Sequence, residues 1–343
     1  MTPGPRPDDT AILASAAEAH LAAAPDEPGL CAAVMRRGRI TALVCRGLAD
    51  VAEGRAVTPT TCFRLASVSK QFTAMAVLLL RAGGALDLDN PVSDWLPELP
   101  EWAAGMTLRH LLTHTSGVWP YEQIIPETRT TRLRDADVLD LLADEPRTQF
   151  QPGEKFHYSN TGYALLACVV ERASGMAFQD FLRGAVFAPL GMDRTLAFVA
   201  DGPPVPERAY GRARRDDIWA DADQGLTSAV LGDGGVYSNA EDYARWDEAL
   251  YGTRLVPAGV LAEAFAPARD NAGNPLAYGL GWRLEDTADG RPVVYHTGNT
   301  TGFNACVRRL PCAGVTVLAM ANRTGTQTHR ITRDALAELA RGA

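Results

Sequence analysis

Ser67 and Lys70 stand three residues apart at the start of an apolar stretch that ends at Gly83 and Gly84. The uniform apolarity predicts a buried helix, and paired glycines are typical of a helix C-terminus. Residues three apart on a helix share one face, whereas Ser69 points elsewhere. An amine held among apolar side chains can lose its charge and take the proton of a serine hydroxyl. The pair therefore predicts a nucleophilic serine with its own base.

The amino-acid composition supports this interpretation. The chain has only two lysines, Lys70 and Lys155, among 33 basic residues. Arginine could not act as a base at position 70 because its guanidinium keeps its proton. The helix N-terminus also offers backbone N–H groups near Ser67, where negative charge develops during acyl transfer. A chance pair is the competing interpretation.

Two further segments contain residues that could act with the serine. In Tyr158-Ser159-Asn160, the tyrosine could exchange a proton with the nucleophile and the leaving group. The asparagine could bind a substrate amide or the lysine, or it could only cap the helix that follows. Residues 296–299 are His-Thr-Gly-Asn and lie at a predicted strand edge. They offer a donor or cation, a hydroxyl and a glycine for close approach, which suits a bound acyl substrate. An ordinary polar strand end is the alternative there.

Some patterns favour structural roles instead. Tyr237-Ser238-Asn239 repeats the tyrosine segment, but Ser238 and Glu241 fit a capping box, so we interpret that copy as structural. Residues 110 and 114 are histidines at i, i+4 spacing, but a leucine follows the first where a zinc protease has glutamate. We therefore expect no metal. There is no GxSxG motif around the serine and no glycine-rich phosphate loop, so we expect no cofactor.

The predicted elements that position these residues come in a simple order. The 343 residues, 46% of them hydrophobic, are enough for one large two-lobed unit. Periodicity predicts helices at 8–24, 107–112, 135–142, 162–172, 238–250 and 328–340, besides the central one, and strands at 31–35, 40–45, 279–284, 293–296, 303–310 and 315–321. Residues 201–225 are predicted to form a long loop.

This order predicts an α/β (α+β) fold in which strands from both ends form one antiparallel sheet flanked by helices. Residues 8–82 and 277–341 are expected to form the α/β lobe, and residues 83–276 an inserted, mainly helical lobe. Together they make one catalytic domain with a pocket between the lobes.

Charge and segment composition limit the partners. A formal net charge of −8 argues against nucleic-acid and anionic-membrane surfaces. No apolar run is long enough for a membrane span, and residues 1–30 do not resemble a signal peptide. The six cysteines form no CxxC pair, which favours buried free thiols in a reducing compartment. We therefore expect a cytoplasmic protein. The sequence does not determine its oligomeric state.

The three segments, in the order Ser67-x-x-Lys70, Tyr158-x-Asn160 and His296-Thr297-Gly298, resemble those of the serine β-lactamase and penicillin-binding-protein superfamily. The similarity is strongest to the branch with class C β-lactamases, D-Ala-D-Ala carboxypeptidases, D-aminopeptidases and β-lactamase-like carboxylesterases. It extends to residues 108–117, 234–238 and 278–282. In class A enzymes the second and third motifs are Ser-Asp-Asn and Lys-Thr-Gly, and this chain departs from both.

The resemblance implies a role for each residue. Ser67 is the acylated nucleophile, Lys70 its base and Tyr158 the proton shuttle. Asn160 is a substrate and network ligand, and the N–H groups of Ser67 and Asn299 form the oxyanion hole. The remaining substrate-binding residues are those of the third motif: His296, Thr297 and Gly298.

The histidine at 296 bears on the choice of substrate. A lysine there would bind a penicillin carboxylate, whereas a histidine is mostly neutral near pH 7. We therefore predict a hydrolase of small esters or amides that works through an acyl-enzyme. β-Lactamase, D-Ala-D-Ala carboxypeptidase or D-aminopeptidase activity on lactam or amide substrates is the alternative. An acyltransferase with the same residues is also open, and a non-catalytic binder is disfavoured.

Overall fold

A computed structural model describes residues 7–21 and 24–341 of the chain. Its strands are β1 Leu30–Arg36, β2 Arg39–Arg46, β3 Leu48–Asp50, β4 Arg55–Ala56, β5 Phe63–Arg64, β6 Leu196–Ala197, β7 Arg212–Arg215, β8 Ile218–Asp221, β9 Val236–Ser238, β10 Arg283–Asp286, β11 Pro292–Thr300, β12 Phe303–Leu310 and β13 Val315–Ala321. Six of them form one antiparallel sheet in the order β10-β11-β12-β13-β1-β2. The predicted pairing of strands from both ends of the chain is confirmed.

Helices cover both faces of this sheet. The α-helices of the described residues are α1 Pro7–His20, α2 Lys70–Ala82, α3 Leu108–Leu112, α4 Asp135–Ala143, α5 Asn160–Ser174, α6 Phe178–Phe181, α7 Ala188–Leu190, α8 Leu231–Gly234, α9 Ala240–Ala249, α10 Ala258–Ala264 and α11 Thr328–Arg341. The first and last pack against each other and against one face, and α2 lies in the core on the other face.

The alternation along β1 shows how the sheet separates two cores. Cys31, Ala33 and Met35 face the large core that contains α2, whereas Ala32 and Val34 face the smaller core under α1 and α11. Successive side chains of a strand point to opposite faces, and here both faces are covered. This explains why β12 and β13 are buried along their whole length. The sheet is therefore a rigid support for the end of β11.

Several predicted elements differ from the structure. The first helix ends at His20, and residues 22–23 of its predicted range lie outside the described residues. The predicted loop 201–225 contains the hairpin β7–β8. The predicted capping box at Ser238 is wrong, because Ser238 ends β9 and the Asn239 side chain caps α9 by accepting the Asp242 N–H. Asparagine is as good an N-cap as serine, so the sequence did not distinguish them.

Within the described residues, no helix has the length and apolar character needed to cross a bilayer. The segment 83–276 carries most of the shorter helices but also β6 to β9. The division into an α/β lobe and an inserted helical lobe stays a prediction.

Candidate active site

Ser67 lies in a single 3-10 turn, Ala66–Ser69, that leads directly into α2. Ala66 has a φ of 48°, in the left-handed region that alanine rarely adopts. Such strain persists where the surroundings fix the backbone. Gly298 of β11 supplies one such contact, since a Cβ at Gly298 would lie 2.1 Å from the Leu65 carbonyl oxygen. The glycine is therefore required by the close approach of β11 to the serine turn.

The Lys70 ammonium is fully buried and donates to three acceptors. Its Nζ lies 3.2 Å from Ser67 Oγ, 2.8 Å from Asn160 Oδ1 and 2.8 Å from the Asp233 carbonyl oxygen. These partners come from the serine turn, α5 and α8. The amide and the carbonyl oxygens can only accept, whereas the serine hydroxyl can also donate. The site thus brings the predicted serine, lysine and asparagine together.

Tyr158 lies on the other side of the lysine, with its ring centre 5.0 Å from Lys70 Nζ. The ring packs on His114 at 4.3 Å, and the Arg283 guanidinium lies over it at 5.0 Å. Its hydroxyl is buried and has no hydrogen-bond partner among the described residues. A buried polar atom without a partner in a cleft is available to a substrate or to water. The shuttle role of Tyr158 stays a prediction.

Asn160 does not act as the helix cap. The Ser159 side chain accepts the Gly162 N–H at 3.1 Å and so caps α5. This leaves the Asn160 amide free to accept from the lysine and to donate to Glu122 Oε1 at 2.8 Å. The alternative that Asn160 only caps its helix is therefore wrong.

The end of β11 forms one wall of the cleft. β10 pairs with β11 only as far as Tyr295, so among the described residues one edge of β11 has no partner strand from His296 to Thr300. A cavity of about 230 Å³ opens there. Its walls include Arg64, Ser67, Tyr121, Glu122, Asn160, Asp233 and Asn299. Ser67 and Asn299 line the same cavity, as an oxyanion hole requires, but that role stays a prediction.

The environment of His296 does not suit the binding of a substrate carboxylate. The ring is fully buried, with Nδ1 2.8 Å from the Thr297 carbonyl oxygen and Nε2 3.0 Å from the Tyr278 hydroxyl. A carbonyl only accepts, so Nδ1 carries the proton and Nε2 accepts from the tyrosine. Burial, then the charges of Lys70 and Arg283, hold the pKa of His296 well below its usual range. These contacts hold the ring at the end of β11, and the direct substrate-binding role of His296 stays a prediction.

Sequence reasoning missed a group of supporting residues. Asp135 is buried and accepts the backbone N–H groups of Leu231 at 2.8 Å and Gly232 at 3.0 Å. It thereby holds α8, whose Asp233 carbonyl binds Lys70. Burial raises the pKa of Asp135 to about 8 and that of Asp233 to about 6. The available signal in the sequence was Asp233, an acidic residue inside the glycine-rich, otherwise apolar stretch 230–236.

His114 supports the tyrosine segment. Its Nδ1 accepts the Ser159 N–H at 3.1 Å, and burial, followed by the charge of Lys70, holds its pKa well below the usual value. The Nδ1 of His110 accepts the Thr107 N–H at 3.1 Å. Among the described residues, no group of three His, Cys, Asp or Glu side chains is arranged to hold a metal ion. Both histidines thus accept backbone N–H groups of neighbouring segments.

Known proteins resemble this chain over almost its whole length. The model of the beta-lactamase family matches residues 14–341. The chain is 33% identical over 291 residues to penicillin-binding protein 4* of Bacillus subtilis (strain 168), covering 81% of this chain and 64% of that protein. It is 37% identical over 298 residues to esterase EstB of Burkholderia gladioli, covering 74% and 73%. A solved structure of D-amino acid amidase from Ochrobactrum anthropi SV3 matches with a TM-score of 0.81 and 25% identity, covering 98% of each chain.

Proposed function

The chain belongs to the beta-lactamase family, and we propose that it is a serine hydrolase that cleaves small esters or amides through an acyl-enzyme on Ser67. The observation that carries this proposal is the set of acceptors around Lys70. The ammonium donates all three of its N–H groups, whereas the neutral amine that acts as the base has two N–H groups and one lone pair. The Asn160 and Asp233 oxygens can only accept, so they take the two N–H groups. The lone pair is then left for the Ser67 hydroxyl.

This arrangement suggests the following reaction. Lys70 takes the hydroxyl proton as Ser67 Oγ attacks the substrate carbonyl carbon. The N–H groups of Ser67 and Asn299 stabilise the oxyanion of the tetrahedral intermediate. The intermediate collapses, the bond to the leaving group breaks, and the leaving alcohol or amine receives a proton through Tyr158. Water then attacks the ester on Ser67, releases the acid and restores the hydroxyl.

Two observations favour neutral esters or amides. His296 is buried, neutral and fully engaged with protein groups, so it offers no cation at the cleft. The similar proteins include an esterase and a D-amino acid amidase. The chain spans 64% of the length of penicillin-binding protein 4*, so the activity of that whole protein is not carried over.

A second candidate is a hydrolase of carboxylate-bearing substrates, such as a β-lactamase or a D-Ala-D-Ala carboxypeptidase. The observation that favours it is Arg283, which lies over Tyr158 and has no ion pair among residues 7–21 and 24–341. A half-buried guanidinium beside the proposed shuttle could bind a carboxylate. An acyltransferase would use the same acyl-enzyme and pass the acyl group to an amine or alcohol.

A substrate panel tests these alternatives. Wild type and Ser67→Ala are assayed with p-nitrophenyl esters, D-amino acid amides and a chromogenic cephalosporin. We expect turnover of an ester or amide by the wild type, with kcat/KM higher than for the cephalosporin, and none by the variant. Preferred hydrolysis of the cephalosporin would support the second candidate. Products that change when an amine or alcohol is added would indicate acyl transfer.

A further inference from the structure

Two cysteines on neighbouring strands face each other, and neither lines the cavity beside Ser67. Cys31 of β1 and Cys45 of β2 are direct register partners in the antiparallel pair. Their sulfur atoms lie 3.6 Å apart. Direct partners in such a pair have Cα atoms about 4.5–5.5 Å apart, which lies inside the roughly 4.4–6.8 Å span of disulfides. The backbone therefore already has the spacing that a disulfide needs.

We propose that Cys31 and Cys45 form an oxidisable dithiol pair that a peroxide converts to an intramolecular disulfide. Both residues are free thiols in this structure. Of the six cysteines, all of which are described, only these two sulfurs are in contact with each other. The S–S bond needs about 2.0 Å, so side-chain rotation must close the remaining gap. This proposal does not depend on the proposed hydrolase activity.

The two thiols differ in access, which sets the order of the reaction. Cys45 is half-buried on β2, the edge strand of the sheet, whereas Cys31 is fully buried. A dissolved peroxide therefore meets Cys45 first. The neighbouring Cys31 thiol lowers the pKa of Cys45, while the contact with Cys45 and burial raise the pKa of Cys31. Thiolate character and exposure thus both select Cys45 as the attacking sulfur.

The chemistry balances in two steps. The Cys45 thiolate attacks hydrogen peroxide, the S–O bond forms, the O–O bond breaks, and hydroxide leaves to give a sulfenic acid. The Cys31 sulfur then attacks the sulfenic sulfur and displaces a second hydroxide. The first hydroxide takes up the proton that Cys45 released on forming its thiolate, the second takes the Cys31 thiol proton, and both oxygens of the peroxide end as water. The two thiols lose two electrons, which reduce the peroxide.

Other cysteines provide internal controls. Cys62 Sγ contacts the Arg194 carbonyl oxygen at 3.3 Å, and Cys306 Sγ accepts from the Thr332 hydroxyl at 3.0 Å. Cys312 is exposed, so it is the thiol expected to form intermolecular links. A Cys312→Ser background removes that competing reaction without touching the pair.

Peptide mapping tests the proposal directly. The native Cys312→Ser protein is treated with hydrogen peroxide, blocked with iodoacetamide, and digested with trypsin without reductant. Trypsin cuts after Arg36 and Arg39, so the two cysteines fall in separate peptides that only a disulfide can join. We expect the peptide ending at Arg36 to be linked to peptide 40–46, with the mass of two hydrogens lost. Dithiothreitol should separate them.

Two results would overturn the proposal. One is a Cys45 sulfinic or sulfonic acid that accumulates while Cys31 stays alkylatable. The other is retention of both free thiols at peroxide doses that oxidise Cys312 in the wild type. A Cys31→Ser variant provides the matched comparison, because it should stop at oxidised Cys45 with no linked peptide. The peptide map of the Cys312→Ser protein is decisive even if the Cys31→Ser variant does not fold.

Discussion

The Lys70 ammonium donates to the backbone carbonyl oxygen of Asp233 at 2.8 Å, across 163 positions of the chain. That carbonyl belongs to α8, which the buried carboxyl group of Asp135 holds by accepting two backbone N–H groups. A side-chain change cannot remove a backbone acceptor. Three acceptors from separate parts of the chain therefore surround one nitrogen atom. An ammonium fits them because its three N–H donors are on one compact atom.

Lys70→Arg should lower kcat at least about 10²-fold, the lower end for loss of a general base. The guanidinium keeps its proton and cannot reproduce the three directions of an ammonium. The measurement is kcat on a p-nitrophenyl ester. Lys155→Arg is the matched control, because Lys155 is exposed and pairs with Glu154 at 3.8 Å. An arginine at position 70 that retains most activity would mean that Lys70 only supplies charge.

Tyr158→Phe should reduce kcat strongly, whereas Tyr237→Phe should leave it nearly unchanged. The Tyr158 hydroxyl is buried and unpartnered among the described residues. The Tyr237 hydroxyl instead accepts from Gln224 at 2.9 Å and from Arg208 at 3.3 Å, so its loss should affect stability. Steady-state kinetics and thermal melts of both variants separate these effects. The reverse pattern would show that the wrong Tyr-Ser-Asn segment was chosen.

Arg283→Gln should lower kcat/KM for a cephalosporin more than for a neutral p-nitrophenyl ester. Arg283 is the half-buried cation over Tyr158, and it lacks an ion pair among the described residues. Arg309 of β12 is a poorer candidate, because it is fully buried against Asp247. Arg214→Gln, which alters an exposed arginine over Trp219, is the matched control. An unchanged substrate ratio would show that Arg283 does not bind a carboxylate.

The carboxylate preference should be independent of pH between about 5.5 and 8.5, where an ordinary histidine titrates. The pKa of His296 lies well below its usual range because the ring is buried, so it stays neutral there. His296→Lys should bury an ammonium, lower stability and give no gain on cephalosporins. The ratio of kcat/KM for the two substrates across this pH range is the measurement. A ratio that falls as pH rises would instead support a carboxylate-binding role for His296.

Asp233→Asn should raise the free energy of unfolding more at pH 8 than at pH 4. Burial raises the pKa of Asp233 from 3.8 to about 6. Because its pKa is raised in the fold, the Asp233 carboxyl group stabilises the fold below pH 3.8, and this contribution is lost as pH rises through 6. The asparagine side chain does not titrate, so the variant avoids this loss of stability, which is at most about 3 kcal/mol at about 1.4 kcal/mol per pKa unit. The amide oxygen can still accept a hydrogen bond from the Tyr121 hydroxyl. Urea unfolding of wild type and variant at both pH values measures the difference in the free energy of unfolding. An equal or smaller increase at pH 8 than at pH 4 would contradict the prediction.

The sequence predicted what local spacing determines. Ser67 and Lys70 share a face because three positions on a helix do so, and the terminal strands pair because their apolar periods are clear. It did not predict the acceptors from Asn160 and Asp233, since tertiary packing places them. Residue type predicts that His296 is mostly neutral near pH 7, but the burial that lowers its pKa further comes from tertiary packing and could not be predicted. The basic strand β7, Arg212–Arg215, lacks an apolar period, so the sequence does not predict its hairpin.

The most direct test of the account is the identity of the acylated residue. The protein is incubated with a fluorophosphonate and digested with trypsin, which releases peptide 65–70 with both Ser67 and Ser69. Ser69 Oγ accepts the Val236 N–H at 3.1 Å, so Ser69→Ala should still be labelled. We predict one adduct, on Ser67, that Ser67→Ala abolishes while the variant stays folded. An adduct on Ser69, or on any other residue of folded Ser67→Ala, would contradict the central claim.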